Sequence, residues 1–390
     1  MKNASTKTAV FVFGLHARRI GGIEHHTREI SGLLGALGWQ VVLCFRQEPS
    51  GDVREFLSLA NVRFEVLPEA AVNSRRSALD LRRILRRYRP LLVHFQFTPL
   101  LGFNAWIARL CGARAIVFTD HGSHPENFRP QPASGVKKLA ARLLTLPVSR
   151  VICVSDYNRG VLATLGTIGS VRLQRIYNGI DLSRAENPQP SVAAAFRKRF
   201  LIAEDRIVVT QISAMSPEKG VGDLLAAARA AIHDEPALHF VIAGDGSHRD
   251  EYIRRAGEIG ISSHVTFTGL LSDPMGDGVF AASQICCQAS RWEEAFGLVI
   301  AEAMAFAKPV VGTRVGGIPE LVEDGKTGFL ADRGDAAGLA ARLVTLARDS
   351  ALRTRFGLAG AARAAERFDL RKNALALLEV YREIVGPGFG

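Results

Sequence analysis

Two glutamates flank the start of a predicted helix, an arrangement suited to a phosphorylated ligand that also carries hydroxyl groups. Glu294 and Glu302 are eight positions apart, and Gly297 lies between them, ahead of good helix formers at residues 298–307. A helix should therefore begin near Phe296 or Gly297, with its first backbone amides unpaired. Such a helix end favours an anion, and the carboxylates could accept hydrogen bonds from a diol.

A glycine turn at Gly316 and Gly317 follows the next predicted strand, at residues 308–312. Two corners suited to an anion therefore bracket the two carboxylates, and a diphosphate with a diol-bearing sugar on each side would use all of these groups. The alternative is an amphipathic core helix with two solvated glutamates, which explains most isolated glutamate pairs. The neighbouring glycines favour the ligand site.

Residues 290–330 closely resemble the E-x7-E signature of the family-four retaining glycosyltransferases, because E-A-F-G-L, P-V-V-G-T and G-G-I-P-E-L-V-E-D-G-K-T-G-F-L occur in the order of that family. The resemblance implies a GT-B fold, an α/β architecture of two facing Rossmann-like, doubly wound domains with a cleft between them. It implies that Glu302 holds the ribose of a sugar nucleotide and that Glu294 faces the donor sugar. The amides implied to contact phosphate and sugar are those of Phe296, Gly297 and Leu298.

The first half of the chain has two loops that match the same family. A glycine pair at Gly21 and Gly22 precedes a predicted helix; it fits neither the dinucleotide fingerprint nor the P-loop, and such pairs are often only structural. The family's G-G-x-E opening implies that both glycines are donor contacts. His121, in T-D-H-G after a strand, is implied to contact the donor sugar, although a lone loop histidine is usually a surface residue. His94 lies within a strand and is typical of a core histidine.

The turn S-A-M-S-P-E-K-G resembles the family's G-R-L-x-x-x-K-G, whose arginine and lysine contact the diphosphate. Lys219 matches the lysine, but Ala214 occupies the arginine position. Arg291 and Arg314 are the nearest basic residues by motif position, and each is expected to be a solvated surface arginine. The turn implied to frame the base is formed by Gly269 and Leu270.

No Asp-x-Asp motif occurs in the sequence, so nothing suggests a metal-clamped diphosphate. We expect no cofactor: Lys219, the helix amides and the turn at Gly316 and Gly317 would neutralise the leaving group. The five scattered cysteines are expected to be reduced core thiols.

The 390 residues are 47% hydrophobic, and no apolar run is long enough to cross a bilayer. We therefore expect a cytoplasmic protein. Lys and Arg number 26 and Asp and Glu 13 in residues 1–187, a net charge of +13, against 23 and 25 in the remainder. Residues 75–90 predict an amphipathic helix that is either simply solvated or bound to anionic lipid at the inner face of the plasma membrane. Its flanking basic residues are Arg82, Arg83, Arg86 and Arg87. Nucleic acid fits less well, because no aromatic residues are interleaved.

Short apolar runs alternate with helical patterns along the chain, which predicts parallel, doubly wound sheets. We expect an acceptor-side domain at residues 1–187, a sugar-nucleotide-binding domain at 188–372, and a last helix at 373–390 that crosses back to the first domain. The reaction implied is transfer of a sugar, with retention, to a glycan or lipid-linked acceptor. A nucleotide-sugar epimerase of the same architecture and a catalytically weak regulatory or scaffolding relative are the alternatives.

Overall fold

The computed structural model describes residues 7–186 and 189–390. It divides into two compact units. The first comprises Met1–Gly122, Arg129–Gly179 and Leu370–Gly390, and the second comprises Ser123–Phe128 and Ile180–Asp369. The boundary predicted at residues 187 and 188 lies outside the described residues.

The first unit is built on a seven-stranded parallel sheet with the order β3-β2-β1-β4-β5-β6-β7. Most residues of its central strands are buried, because helices cover both faces of a doubly wound sheet. The strands are β1 (Thr8–Phe13), β2 (Gln40–Phe45), β3 (Val62–Val66), β4 (Leu92–Gln96), β5 (Ala115–Asp120), β6 (Arg150–Cys153) and β7 (Leu173–Arg175).

Seven helices belong to this unit within its described residues. Ser74 and Ser155 cap two of them, each accepting a hydrogen bond from the backbone amide three residues later. The helices are α1 (Gly22–Ala36), α2 (Gly51–Leu57), α3 (Arg75–Tyr88), α4 (Asn104–Leu110), α5 (Gly135–Leu144), α6 (Asp156–Leu165) and the last helix of the chain, α15 (Leu370–Val385).

The second unit contains a six-stranded parallel sheet with the order β10-β9-β8-β11-β12-β13. Its strands are β8 (Ile207–Ile212), β9 (Leu238–Ala243), β10 (Val265–Gly269), β11 (Ile285–Gln288), β12 (Val310–Thr313) and β13 (Gly328–Ala331). Its helices are α7 (Pro190–Arg199), α8 (Val221–Asp234), α9 (Arg249–Glu258), α10 (Val279–Ala282), α11 (Leu298–Ala305), α12 (Ile318–Leu321), α13 (Ala336–Arg348) and α14 (Ser350–Arg367). The prediction of two doubly wound α/β domains is confirmed.

The last helix packs within the first unit. It begins at Leu370, three residues earlier than the sequence pattern indicates. Its Tyr381 is fully buried, and Trp39 Nε1 donates a hydrogen bond to the carbonyl of Phe389 at 3.0 Å. Among the described residues, no helix is both long and apolar enough to cross a bilayer.

Candidate active site

Lys219 and Glu294 form an ion pair in the second unit. Lys219 ends a short 3-10 turn after β8, and Glu294 lies in the loop between β11 and α11. Lys219 Nζ is 2.7 Å from Glu294 Oε1, and the same oxygen accepts a hydrogen bond from Ser290 Oγ at 2.6 Å. The Glu294 side chain is buried, so these two donors offset its loss of hydration. One cation and one carboxylate are therefore held side by side.

Close backbone contact fixes the turn that carries Lys219. Gly220 has a φ of +66°, and a Cβ there would lie 1.8 Å from the carbonyl oxygen of Ala289. The buried Gln211 side chain joins the same segments: its Nε2 donates to Lys219 O at 2.9 Å, and its Oε1 accepts from Ala289 N at 3.1 Å. Lys219 is thus anchored to the end of β11, four residues before the loop reaches Glu293.

Helix α11 begins where the sequence predicts. Gly297 is its N-cap residue with a φ of +107°, and Leu298 is its first residue. Phe296 is buried against Phe368, with ring centroids 5.5 Å apart. Glu302 is half-buried in the second turn of this helix. The first helical amide, that of Leu298, comes four positions after Glu294. Amides able to donate hydrogen bonds to an anion therefore lie close in sequence to a carboxylate, as the sequence predicts.

The turn at Gly316 and Gly317 differs from the anion-binding corner that the sequence predicts. Gly316 N donates to Glu293 Oε2 at 2.7 Å, and Gly317 N donates to Glu294 O at 2.8 Å. Both amides therefore already have acceptors within the protein. Glycine is required at 316 because its φ is +52° and a Cβ would lie 2.2 Å from Glu294 O. This turn therefore supports the loop that carries Glu294.

The loop after β5 supports the other side of the Glu294 loop. His124 and Glu293 exchange two backbone hydrogen bonds, at 3.0 and 2.9 Å, as in an antiparallel bridge. Ser123 Oγ accepts from Ala295 N at 3.1 Å. The backbone on both sides of Glu294 is consequently fixed within the second unit.

His121 occupies the end of β5 in the first unit. Its ring stacks on Phe97 with centroids 4.2 Å apart and an interplanar angle of 3°, and its Nε2 is 3.3 Å from Gln96 Oε1. Burial is the main cause that lowers the pKa of His121 to about 3, so the ring is neutral near pH 7. Because an amide oxygen only accepts, Nε2 carries the proton and Nδ1 remains a hydrogen-bond acceptor.

Asn158 holds the turn that presents His121. Its Nδ2 donates to Asp120 Oδ2 at 3.0 Å and to Gly122 O at 3.1 Å. Gly122 N closes the turn by donating to Asp120 Oδ1 at 3.1 Å. The residues before and after His121 are therefore both fixed from α6.

The glycine pair at the start of α1 is capped by its own helix. Gly21 N donates to Glu24 Oε2 at 3.0 Å, and Gly22 is the first helical residue. Glu24 is buried, which raises the pKa of its carboxyl group despite the backbone hydrogen bonds. The acidic residue of G-G-x-E is thus a capping residue, and of the two glycines only Gly21 has its amide bound to this carboxylate.

His94 is the satisfied core histidine that the sequence predicts. It is fully buried in β4, where Nδ1 is 2.5 Å from Tyr381 Oη and Nε2 is 2.7 Å from Thr119 Oγ1. Burial holds its pKa well below the usual value. The ring joins α15 to the sheet.

Two family descriptions match the chain: Glycosyltransferase Family 4 over residues 20–184 and Glycosyl transferases group 1 over residues 192–363. A GDP-mannose-dependent alpha-(1-6)-phosphatidylinositol monomannoside mannosyltransferase from Mycolicibacterium smegmatis is 31% identical over 323 residues, covering 81% of both chains. The chain belongs to glycosyltransferase family 4. A phosphatidyl-myo-inositol mannosyltransferase from Mycobacterium leprae is 26% identical over 382 residues, covering 94% of each chain.

Solved structures place this family-four glycosyltransferase in the GT-B fold. A glycosyltransferase from Rickettsia africae superposes with a TM-score of 0.84 at 20% identity, covering 99% of this chain and all of the other. Anabaena HepE, in complex with UDP and glucose, gives a TM-score of 0.78 at 22% identity, with 96% and 99% coverage. The predicted reaction class is confirmed: the chain is a glycosyltransferase.

The glycosyltransferase has no arginine at the position that the family motif reserves for one. Ala214 is exposed there. The two candidate substitutes are engaged elsewhere: Arg291 makes two hydrogen bonds to Asp223 at 3.0 and 3.1 Å, and Arg314 pairs with Asp324 at 2.9 Å. Each is a partly exposed arginine with its own carboxylate, so neither guanidinium is a ready replacement.

At the end of β10 the enzyme has the turn implied to frame the base. Gly269 has a φ of +72°, and its carbonyl accepts from Gly244 N at 2.8 Å. Leu270 follows with 61% of its surface exposed. An exposed leucine at a fixed turn offers an apolar contact of the kind a nucleobase uses.

Sequence reasoning missed several residues that hold this site. Ser290 donates a hydrogen bond to Glu294, and Glu293 accepts one from the amide of Gly316. Arg333 Nη2 in turn donates to Glu293 Oε1. Gln96 is hydrogen-bonded to His121, and Phe97 stacks on its ring. Glu293 directly precedes a motif glutamate, Gln96 ends β4, and Phe97 follows it, so nearness in the sequence to a motif or a strand end was the available signal.

Proposed function

We propose that this enzyme moves a hexose from a nucleoside-diphosphate hexose to a lipid-linked acceptor, with retention at the anomeric carbon. The observation that carries this proposal is the 2.7 Å pairing of Lys219 Nζ with Glu294 Oε1 beside the N-terminus of α11. A phosphate-binding cation and a sugar-binding carboxylate this close suit the junction between a donor sugar and its diphosphate.

The donor-binding roles divide among the residues of α11 and its loop. Glu302 would accept hydrogen bonds from the ribose diol, and Glu294 from hydroxyls of the donor sugar. The amides of Phe296, Gly297 and Leu298 would donate to phosphate and sugar oxygens. Lys219 would exchange part of its contact with Glu294 for a phosphate oxygen.

His121 and Gly22, both in the first unit, are further proposed donor contacts. With Nε2 bound to Gln96, His121 has Nδ1 available to accept from a sugar hydroxyl. Gly22 is the first residue of α1, where an unpaired amide favours phosphate. Gly21 would serve by close backbone approach, since its amide is bound to Glu24.

Catalysis would rest on stabilising the departing diphosphate. As the bond from the anomeric carbon to the phosphate oxygen breaks, charge grows on that oxygen next to Lys219 and the α11 amides. The leaving phosphate would take the proton of the acceptor hydroxyl, whose oxygen forms the new bond on the same face of the sugar. Glu294 already accepts from Lys219 and Ser290, which suits binding better than nucleophilic attack.

Lys219 and the helix amides supply the positive charge that other transferases take from a divalent metal. We therefore propose that transfer continues without added metal. The test is turnover in the presence of a chelator, and a strict requirement for restored Mg²⁺ or Mn²⁺ would overturn this part of the proposal.

The acceptor would be reached at an anionic membrane surface on the cytoplasmic side. The polar flanks of α3 expose Arg82, Arg83, Arg86 and Arg87. Arg83 pairs with Asp80 at 3.2 Å and Arg87 with Glu65 at 3.0 Å, so part of this charge is already offset. Each basic residue near such a surface contributes on the order of 1 kcal/mol at low salt. The names of the relatives from M. smegmatis and M. leprae specify phosphatidylinositol-type acceptors, which supports a phospholipid-type acceptor for this enzyme.

Mass spectrometry of products from a panel of sugar nucleotides tests the reaction, and GDP-mannose is the first donor to try because of the relative from M. smegmatis. We expect a glycosylated lipid and free nucleoside diphosphate. Conversion of the donor into an isomeric sugar nucleotide would favour an epimerase. No transfer and no hydrolysis of any donor would favour a regulatory or scaffolding protein.

A further inference from the structure

Helix α5 in the first unit points its apolar side chains outward. Val136 is 83% exposed, Leu139 61% and Leu143 55%, and Leu146, just beyond the helix end, is 61% exposed. Their spacing of three, four and three residues places them along one side of the helix. A surface helix normally buries such a stripe.

The opposite side of α5 carries the residues that face the protein. Ala141 is buried, and Thr145, at the C-terminal cap, has no exposed surface. Lys138 extends over Gly166, and Arg142 Nε is 3.4 Å from the carbonyl of Gly166. The helix therefore lays long basic side chains against α6 and leaves its leucines in solvent.

Helix α4 extends this surface. Trp106 Nε1 donates to Leu143 O at 3.0 Å, and Arg109 Nη2 donates to Pro147 O at 3.0 Å. These bonds tie α4 to the end of α5. Leu110, the last residue of α4, is 82% exposed. Val136, Leu139, Leu143, Leu146 and Leu110 are called the α5 surface below.

The charges around the α5 surface select its partner. The sequence has no Asp or Glu in residues 81–119, which include α4, and none in residues 127–155, which include α5. The second segment carries five basic residues, Arg129, Lys137, Lys138, Arg142 and Arg150, of which Arg150 is paired with Glu383 of α15. An apolar stripe with basic flanks and no carboxylate in its own two segments matches the interface of an anionic bilayer. Two copies of this surface would repel each other, which disfavours a homodimer.

We propose that the α5 surface inserts its leucines into the interfacial region of an anionic membrane. The inference deepens the proposed function, since it names how the enzyme would hold the membrane that carries its acceptor. Insertion differs physically from docking through the α3 arginines. Salt screens the attraction between exposed charges, whereas the transfer of apolar side chains out of water stays favourable at high salt.

The experiment measures co-sedimentation of the full chain with vesicles of phosphatidylglycerol and phosphatidylcholine, at low salt and at 0.5 M NaCl, roughly a 4 Å screening length. We expect binding that weakens with salt but does not vanish. Leu139→Ser with Leu143→Ser should reduce the residual high-salt partitioning by about tenfold or more, as expected for losing two leucine transfers. The matched control is Leu358→Ser with Leu375→Ser, which removes two exposed leucines from other helices and should bind like the parent.

A second measurement uses Leu143→Trp: the emission of the introduced tryptophan should shift to shorter wavelength when these vesicles are added. Parental high-salt binding by the Leu139→Ser, Leu143→Ser protein would overturn the proposal. A dimer in lipid-free solution that this variant dissociates would overturn it too, because a second copy would then cover the surface. Donor affinity and sugar transfer test the proposed function separately, and both should survive in this variant on a water-soluble acceptor.

Discussion

Lys219 and Glu294 lie 75 positions apart in the sequence, yet their side-chain atoms meet at 2.7 Å in the second unit. The sequence motifs assign the two residues to different parts of a donor, the lysine to phosphate and the glutamate to sugar. Their contact gives the lysine a carboxylate partner, which a donor phosphate would replace in the proposed function. A preformed pair of this kind limits the reorganisation that the reaction requires.

Lys219→Ala should nearly abolish turnover, by about 100-fold or more, because it removes the cation beside the leaving diphosphate. Ala214→Arg should leave activity unchanged or raise donor affinity modestly, since it supplies the arginine of the family motif. Lys326→Ala is the matched control, because Lys326 pairs with Glu323 on the surface. Steady-state kinetics decides, and substantial turnover in Lys219→Ala would place the phosphate clamp elsewhere.

Glu302→Gln should weaken binding of the free nucleoside diphosphate by about 1 to 3 kcal/mol, because charge-assisted hydrogen bonds to a diol become neutral ones. Calorimetry measures this, and an unchanged Kd would remove Glu302 from the site.

Glu294→Ala should lower turnover more than nucleotide affinity, because Glu294 is assigned to the sugar. A loss of nucleoside diphosphate affinity as large as the loss of turnover would contradict that assignment. Combining Glu294→Ala with Lys219→Ala should cost less than the sum of the two single changes, since the residues are in contact.

Gly316→Ala should destabilise the Glu294 loop by about 1 to 3 kcal/mol and reduce turnover. The added Cβ would collide with Glu294 O at 2.2 Å in a backbone with a φ of +52°. Gly325→Ala is the control for backbone strain alone: its φ is +76°, and a Cβ there meets nothing within 4 Å. Thermal unfolding and kinetics of both variants test the difference. Equal effects would mean that strain, and not support of Glu294, explains glycine at position 316.

The start of α11 could be read from the sequence because local signals determine it. Gly297 supplies the positive φ of the cap, and the helix formers after it propagate the helix. The buried strands were equally readable, since parallel sheets use short apolar runs. His94 was assigned correctly because a histidine within such a run must find buried partners.

The use of the backbone amides at Gly316 and Gly317 could not be read in this way. Glu293 and Glu294 come from a loop more than 20 residues earlier, and only the tertiary fold brings them against the turn. The pairing of Lys219 with Glu294 and the outward apolar side of α5 depend on tertiary packing for the same reason. Periodicity identifies an apolar stripe but not which side of the helix faces the protein.

His94 should make stability depend on pH below neutrality. Its folded pKa lies well below the unfolded value of about 6.5, because the ring is desolvated between Tyr381 and Thr119. As the pH falls below the unfolded pKa, the unfolded chain binds a proton that the folded protein does not. The stabilisation is therefore complete above the unfolded pKa and is lost as the pH drops, by about 1.4 kcal/mol per pH unit.

Replacing His94 by Gln should lower stability at pH 7, because its hydrogen bonds to Tyr381 and Thr119 are disturbed. Between pH 6 and pH 5 the free energy of unfolding should fall less steeply than in the parent, because one proton fewer is taken up on unfolding. His16→Gln, at an exposed histidine, is the matched control for the same replacement outside the core. Urea unfolding at pH 7, 6 and 5 measures all three proteins. Equal slopes for the parent and His94→Gln would show that His94 does not remain neutral in the folded protein over this range.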